Sequence, residues 1–361
     1  MVQQIKQNTV THKDFTMSNI QWTGKTWNPL VGCSKVSAGC QNCYAIKDAH
    51  RMAGNPNTKI SSVYAGLTER RGDRTEWTGQ VNFVPQRLEI PIKTRKPTTW
   101  FVNSMGDLFH ESVTDEQLDQ VFAVMALTPQ HTYQVLTKRP ERMRDYFASR
   151  NGERESPINL SKAEIFWCDA AKRSLWQWVG DKVGGLINLG SAIADAGYPL
   201  PNVWLGVSTE NQQTADERIP LLLQTPAAVR FLSCEPLLGP IHFSKVPGFN
   251  RVGLDLSSWW VIVGGESGPK ARPCDWDWIA SIVAQCAIPS VPCFVKQAGT
   301  RPLVPCRMPG TPGFEEFGPI VRTTGKGHNP EEWPYRAQGW PRQMPPAHKL
   351  ECSEDMLGVV V

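Results

Sequence analysis

Gly32-Cys33-Ser34-Lys35-Val36-Ser37-Ala38-Gly39-Cys40-Gln41-Asn42-Cys43-Tyr44 places three cysteines within eleven residues, two of them directly after a glycine. The chain's other seven cysteines are scattered. Thiolates brought this close by a glycine-containing loop can hold a soft metal or an iron–sulfur cluster, and the Cys-x2-Cys half sets two sulfurs on one centre. Three sulfurs do not fill a four-ligand shell. A structural zinc site is closed by four protein ligands, whereas three leave one position for something that reacts. A [4Fe–4S] cluster held by three cysteines likewise keeps one iron free. Cys33, Cys40 and Cys43 are therefore the candidate metal ligands; the alternative is a zinc site completed by His50, Cys168 or Cys274.

Around that loop, the 361 residues suit one α/β barrel of roughly 250 residues with additions. A net charge of +4, from 38 basic and 34 acidic residues, is mild and not gathered in blocks. Charge alone thus gives no strong nucleic-acid footprint, though a basic groove stays open. No run of ~20 apolar residues could span a membrane, and 1–19 is polar, without the apolar core of a secretory signal. A cytoplasmic location follows as the expectation, with no membrane partner. In a reducing compartment ten cysteines point to metal or catalysis rather than to disulfides. Residues 1–20 read as a flexible extension, 21–345 as a single barrel domain and 346–361 as a tail.

Gly24-Lys25-Thr26 resembles the close of a phosphate loop, but the motif's first glycine is absent at the required spacing. Tyr44 to Met52 reads as a short helix, whose N-terminus would favour a thiolate at Cys43. Ala53 to Lys96 is expected to be a long irregular excursion with one short strand, Gln80 to Val84. From Thr98 a pattern repeats: an apolar run of strand length, a small or polar residue, then a helical stretch. The runs are Trp100 to Asn103, Tyr133 to Lys138, Val203 to Ser208, Val229 to Glu235, Trp259 to Gly264 and Cys293 to Gln297. Helices are expected from Thr114, with Gln117 as its capping-box partner, from Pro140, over Thr214 to Leu223 and over Trp276 to Cys286.

Six near-continuous apolar runs spaced by helices call for a parallel sheet covered on both faces. With one strand leading into the cysteine loop, the α/β chain suits a partial or complete (β/α) barrel. Chemistry in such a barrel sits at the carboxyl ends of the strands. Those ends carry Asn103, Ser104, Asp107, Thr137 and Lys138 in the first half, then Ser208, Glu210, Glu235, Glu266, Ser267, Lys296 and Gln297 in the second. His110 follows the Asp107 turn and is expected on the rim, open to solvent. Lys296 and Glu235 read either as catalytic groups or as a buried ion pair. Cys234, Cys286 and Cys293 read as core, and Cys352 as an incidental thiol. An insertion, Asn151 to Gly197, is expected to form two helices, Leu160 to Trp178 and Val183 to Ala196. Lid and dimer contact both suit it, and Trp167, Trp176 and Trp178 read as a satellite core or lid rather than a base-stacking platform.

The runs Thr26-Trp27-Asn28-Pro29, Gly32-Cys33 and Gly39-Cys40-Gln41-Asn42-Cys43-Tyr44-Ala45 carry a resemblance. They look like the opening of a phage- and plasmid-associated family of three-cysteine proteins, generally labelled as of unknown function. That family is similar to radical S-adenosylmethionine enzymes of the spore photoproduct lyase branch. The likeness continues through Phe101 to Phe109, Leu136 to Pro140, Trp204 to Ser208, Ser233 to Leu237, Ile262 to Gly268, Phe294 to Gln297 and Asn329 to Pro334. The first cysteine gap departs from the superfamily's commonest spacing: six residues stand where three are usual, which widens the loop and leaves the ligand count unchanged.

The resemblance implies a radical-SAM-type barrel with an N-terminal cluster loop and a helical insertion. Cys33, Cys40 and Cys43 would ligate a [4Fe–4S] cluster whose fourth iron takes S-adenosylmethionine, and a 5′-deoxyadenosyl radical would abstract hydrogen from the substrate. By residue type it implies cofactor contacts from Tyr44, Ser104, Asp107, Thr137, Lys138, Ser208, Glu210 and Glu266. Gly264 and Gly265 would let the backbone approach the ligand closely. Lys138, Glu235 and Lys296 would be catalytic. An electron donor such as a flavodoxin or ferredoxin is implied. The substrate it points to is a nucleobase or nucleotide, such as a thymine derivative in DNA. Arg70, Arg71, Arg74, Arg87, Lys93, Arg95 and Lys96 could then track phosphates, or form a solvated basic face. The other readings are a non-catalytic, metal-stabilised nucleic-acid-binding protein and a radical enzyme acting on a small metabolite or peptide.

Overall fold

Period-two alternation inside each strand decides how the chain folds, because successive side chains leave a strand on opposite faces. The computed structural model describes residues 20–151, 161–176, 186–249, 254–303, 305–306, 316–317 and 341–344. Its main sheet has seven strands: β1 (Lys25–Trp27), β2 (Thr99–Val102), β3 (Thr132–Thr137), β4 (Val203–Ser208), β5 (Val229–Cys234), β6 (Trp259–Gly264) and β7 (Cys293–Gln297). Neighbours in sequence are neighbours in the sheet, and every pairing is parallel. The sheet is open, with β1 and β7 at its two edges. It is the partial barrel of the two forms expected. The free side of β7 is covered by Pro341 to Gln343, since Val295 donates to the Pro341 carbonyl and Gln343 to that of Cys293, each at 2.9 Å.

One set of alternate residues, Phe101, Trp204, Phe231, Trp260, Ile262 and Phe294, packs inside the curl against Trp22. The Trp22 ring lies 4.8 Å from that of Phe101 and 5.9 Å from that of Trp260, and so plugs the amino-terminal end. Gly206 makes room here, because a Cβ would stand 2.6 Å from the Phe231 ring. The other set, including Trp100, Tyr133, Val135, Leu205, Leu232, Val261 and Val263, packs outward beneath the helices. Both faces are therefore dry, which is why the strands read as unbroken apolar runs.

The amino-terminal segment supplies α1 (Tyr44–Ala53), α2 (Thr58–Tyr64) and α3 (Glu89–Lys93). The crossovers are α4 (Asp115–Ala126), α5 (Pro140–Arg150), α6 (Lys162–Ser174), α7 (Leu186–Ala196), α8 (Gln212–Leu223) and α9 (Trp276–Ala287). Thr114 and Gln117 close the expected capping box, with the Gln117 N–H on Thr114 Oγ1 at 3.3 Å. Helix α8 begins two residues before Thr214, capped by Asn211.

The stretch expected to be irregular is more ordered than its composition implies. Besides α2 it holds a hairpin, Thr68–Arg71 with Arg74–Trp77, and a short strand Asn82–Phe83 paired with Leu30–Val31. The hairpin strands are half exposed and almost wholly polar, so no alternation betrays them; Gly72, at φ +62°, makes the tight turn. Leu67 and Trp77 root the hairpin against Ala45, Ala49 and Tyr64.

Helices α6 and α7 of the insertion pack on the outer layer. Trp167 is buried, stacked on Phe122 of α4 at 5.9 Å, and its indole donates to the Tyr146 hydroxyl at 3.2 Å. It thus belongs to the main core, and no described residue of the insertion lines the barrel mouth. Trp176 is exposed. Trp178, Asn329 to Pro334, Cys352, the extension to residue 19 and the tail lie outside the described residues. No described helix is long and apolar enough to cross a membrane.

Candidate functional site

The chain leaves β1 at Trp27, passes through the short strand Leu30–Val31 and crosses the carboxyl ends of the other strands. It enters through a close backbone approach: Gly32, at φ +98°, donates to the Met105 carbonyl at 2.9 Å, and a Cβ on Gly106 would stand 2.8 Å from the Gly32 oxygen. A short 3-10 turn, Ala38–Cys40, follows, and Cys43 then caps α1.

Each part of this loop is tied to a different strand end. Arg139, after β3, bonds Ser34 through its carbonyl (3.2 Å) and hydroxyl (2.7 Å), Asp107 at 3.1 Å, Glu111 at 2.9 Å and the Cys33 sulfur at 3.6 Å. Asp107 is held in turn by the Thr137 hydroxyl (2.7 Å) and the Lys138 N–H (3.1 Å). Glu210, after β4, accepts from Ser37 at 3.0 Å, Lys138 at 2.5 Å and Arg218 at 3.1 Å. Glu266, after β6, accepts from Asn42 at 3.0 Å and from Arg272 three times, at 2.6 to 2.9 Å; Arg272 also reaches the Ala38 carbonyl at 2.8 Å. Tyr44 donates to the Ser104 carbonyl at 2.9 Å.

Beneath the loop is a cavity of about 280 Å³. All three cysteines line it, with Tyr44, Ser104, Asp107, Thr137, Lys138, Ser208, Glu235, Gly265, Glu266 and Lys296. Of the residues singled out from sequence, Glu210 and Gly264 lie behind the lining rather than in it. Glu210 is buried under the loop, and Gly264 leaves space for Glu235, whose Oε1 would stand 2.7 Å from a Cβ there. Trp22, Phe101 and Leu136 form an apolar floor. Glu235 and Lys296 form an ion pair at 3.2 Å, and two buried polar atoms facing this region, Glu235 Oε1 and Asn103 Nδ2, have no protein partner.

His110 corrects an expectation. It is 1% exposed, its Nδ1 accepting from the Ser112 N–H at 3.2 Å and its Nε2 meeting the Ser34 hydroxyl at 3.0 Å. Burial, then the Arg139 charge, holds its pKa below the usual histidine value. Burial, with Asp107 adding to it, pushes the Cys33 thiol up to about 12, against the pull of Arg139. Burial also raises Cys43, opposed by the N–H groups of Ala45 and Ile46 at the start of α1. For Glu210 burial acts upward, but Lys138, Arg218 and Ser37 outweigh it and hold the carboxyl below its usual range. Arg272 and Asn42 do the same for Glu266.

Arg139, Arg218, Arg272, Ser37 and Asn42 were not singled out from sequence. One local signal could have found Arg139: it stands between a strand end and Pro140 at the first turn of α5, a corner that faces the rim. Arg218 and Arg272 lie far from the cysteines in sequence, and only the fold brings them together. None of the three residues considered as a fourth zinc ligand lines the cavity. His50 bonds Thr68 at 3.1 Å, and Cys168 and Cys274 are buried elsewhere. Among the described residues no three His, Cys, Asp or Glu side chains surround a point that would hold a single metal ion.

Fold and site together define a parallel α/β half-barrel with a three-cysteine loop strung across its strand ends. The chain belongs to the family described as "Protein of unknown function (DUF5131)", which matches residues 17–319. No curated protein matches it. Among solved structures it is similar to a cysteine-to-serine mutant of spore photoproduct lyase, at 10% identity and a TM-score of 0.35. That match covers 73% of this chain and 61% of the other, so the chain spans less than two thirds of that protein's length.

Proposed function

We propose that this protein is a radical S-adenosylmethionine enzyme that holds a [4Fe–4S] cluster on Cys33, Cys40 and Cys43 and acts on a nucleobase or nucleotide. The observation that carries the reading is one cavity, at the carboxyl ends of a parallel half-barrel, lined by three cysteines from a single loop. The donor set fits the group. Cys33, Cys40 and Cys43 would hold three irons, and no further cysteine or histidine among the described residues lines the cavity, which would leave the fourth iron for S-adenosylmethionine. When bound, the cluster and S-adenosylmethionine supply one-electron, hydrogen-abstracting chemistry, the electron coming from an external donor of flavodoxin or ferredoxin type.

The chain's own residues bind, orient and exclude water. Lys138 reaches the cavity from its contact with Glu210 and can meet a carboxylate, while Ser104 and Ser208 offer hydroxyls for a ribose. Asp107 and Glu266 hold the loop in place from opposite sides. The loop above and the Trp22 plug below would narrow the path of bulk water to a substrate held between them. Glu235 is steadied by Lys296 on Oε2 and leaves Oε1 without a protein partner, so it can accept a hydrogen bond from a bound ligand there. The aromatic and apolar floor and a wall offering both donors and acceptors suit a heterocyclic base.

Anaerobic reconstitution tests the reading. Brown protein with about four irons per chain, forming 5′-deoxyadenosine from S-adenosylmethionine after reduction, is the expected result, with Cys40→Ala abolishing both. Colourless protein with a single tightly held zinc would sink it in favour of a metal-stabilised binding protein. If the substrate is nucleic acid, its affinity should fall steeply with salt.

A further inference from the structure

A guanidinium within reach of a cysteine sulfur calls for an account beyond anchoring. Arg139 is 8% exposed and places all three of its nitrogens: Nε on Glu111, one terminal nitrogen on Ser34, the other shared between Asp107 and the Cys33 sulfur. The loop has other fastenings. Ser37 is held by Glu210, Asn42 by Glu266 and Gly32 by Met105, so its position does not require a cation on the sulfur. Asp107, meanwhile, brings a buried negative charge close to Cys33, and its carboxylate is fixed there by Thr137 and by the N–H groups of Lys138 and Phe109. A thiolate beside that carboxylate would resist further negative charge, and Arg139 lies between the two.

We propose that Arg139 is a positioning residue that tunes the Cys33 corner: its N–H···S hydrogen bond stabilises the added electron and so raises the reduction potential of a cluster bound there. The inference rests on the cluster reading above. Adding one electron increases the negative charge on the cluster and its thiolates, and hydrogen bonds to the sulfurs are among the terms that set the potential. The guanidinium is buried, so a fixed donor acts more strongly than it would in water. A planar guanidinium can serve Glu111, Ser34, Asp107 and Cys33 at once, whereas an ammonium on a flexible stem cannot keep the same fork.

The test is a potentiometric titration of the reconstituted protein with mediator dyes that deliver one electron per cluster, followed by the paramagnetic signal of the reduced form. Iron per chain is measured alongside. Arg139→Lys and Arg139→Gln should bind iron as the wild type does yet show a lower midpoint. The expected drop is about tenfold in the reduced-to-oxidised ratio at fixed ambient potential, or ~59 mV for a one-electron couple. Arg142→Gln, which removes a positive charge from the helix that Arg139 caps but touches only Val113 and Asp115, should titrate like the wild type. An unchanged midpoint in iron-loaded Arg139 variants overturns the proposal. So does loss of iron in both while Arg142→Gln keeps it, since the arginine would then build the loop and not tune the sulfur. A wild-type chain that takes up no cluster overturns instead the reading beneath.

Discussion

Gly39 carries no side chain because the Glu210 carboxylate occupies the space one would need. That carboxylate is pinned by Lys138 and Arg218 and cannot swing aside cheaply, so Gly39→Ala should push the Ala38–Cys40 turn off the rim. Overpacking of this kind costs about 1–3 kcal/mol. The expected outcome is a folded protein whose iron uptake falls well below wild type. Full iron loading in Gly39→Ala would show that the turn has more room than its contacts imply. The three cysteines and the acids that flank them were legible in the sequence, because a tight cluster of thiols and polar residues closing apolar runs are local signals. The arginines that neutralise those acids were not, since Arg218 and Arg272 are ordinary surface residues until the sheet curls.

Helix α6 interrupts the crossover between β3 and β4 and packs with its Trp167 ring face to face on Phe122. Trp167→Ala should cost about 3–5 kcal/mol, read as a lower urea midpoint. Iron uptake below the transition should not change, because no described residue of this helix lines the mouth. A variant that unfolds normally but cannot hold a cluster would restore the lid. Thr114→Ala removes one half of a capping box at α4 and should cost about 0.5–2 kcal/mol by the same measurement. The strands were readable because both of their faces are dry. The hairpin Thr68–Trp77 was not, because its strands are half exposed and almost wholly polar and are held by only a few buried side chains at their root.

Two sets of buried groups should give the whole molecule a stepped response to acid. His110 and His131 are held below the usual histidine value of 6.5, chiefly by burial. Each accepts a backbone N–H on Nδ1, from Ser112 and Thr98 respectively, a bond that a protonated ring cannot make. Folding therefore favours the neutral rings: their contribution is complete above about pH 6.5 and drains as pH falls through the lower folded values. Glu210 and Glu266 are held below the usual 4.5, so what they contribute is present above that value and is lost only in stronger acid. Melting temperature should decline in two stages as pH drops, and His131→Gln should flatten the first. A single decline confined below about pH 4.5 would contradict the histidine assignment.

By itself the sequence determined the parallel α/β architecture and the identity of the clustered thiols. Both are written locally: strand-length apolar runs separated by helices leave few alternatives for burial, and eleven residues suffice to gather three sulfurs. Tertiary structure alone decided that, among the described residues, the sheet has seven strands with its edges apart, and that the described helices of the insertion thicken the wall and do not line the mouth. It also decided which cation meets which acid. The reason is the distance along the chain: Asn42 meets Glu266 across 224 residues and Arg139 meets Cys33 across 106, contacts that exist only once the curl of the sheet has brought the strand ends around one cavity.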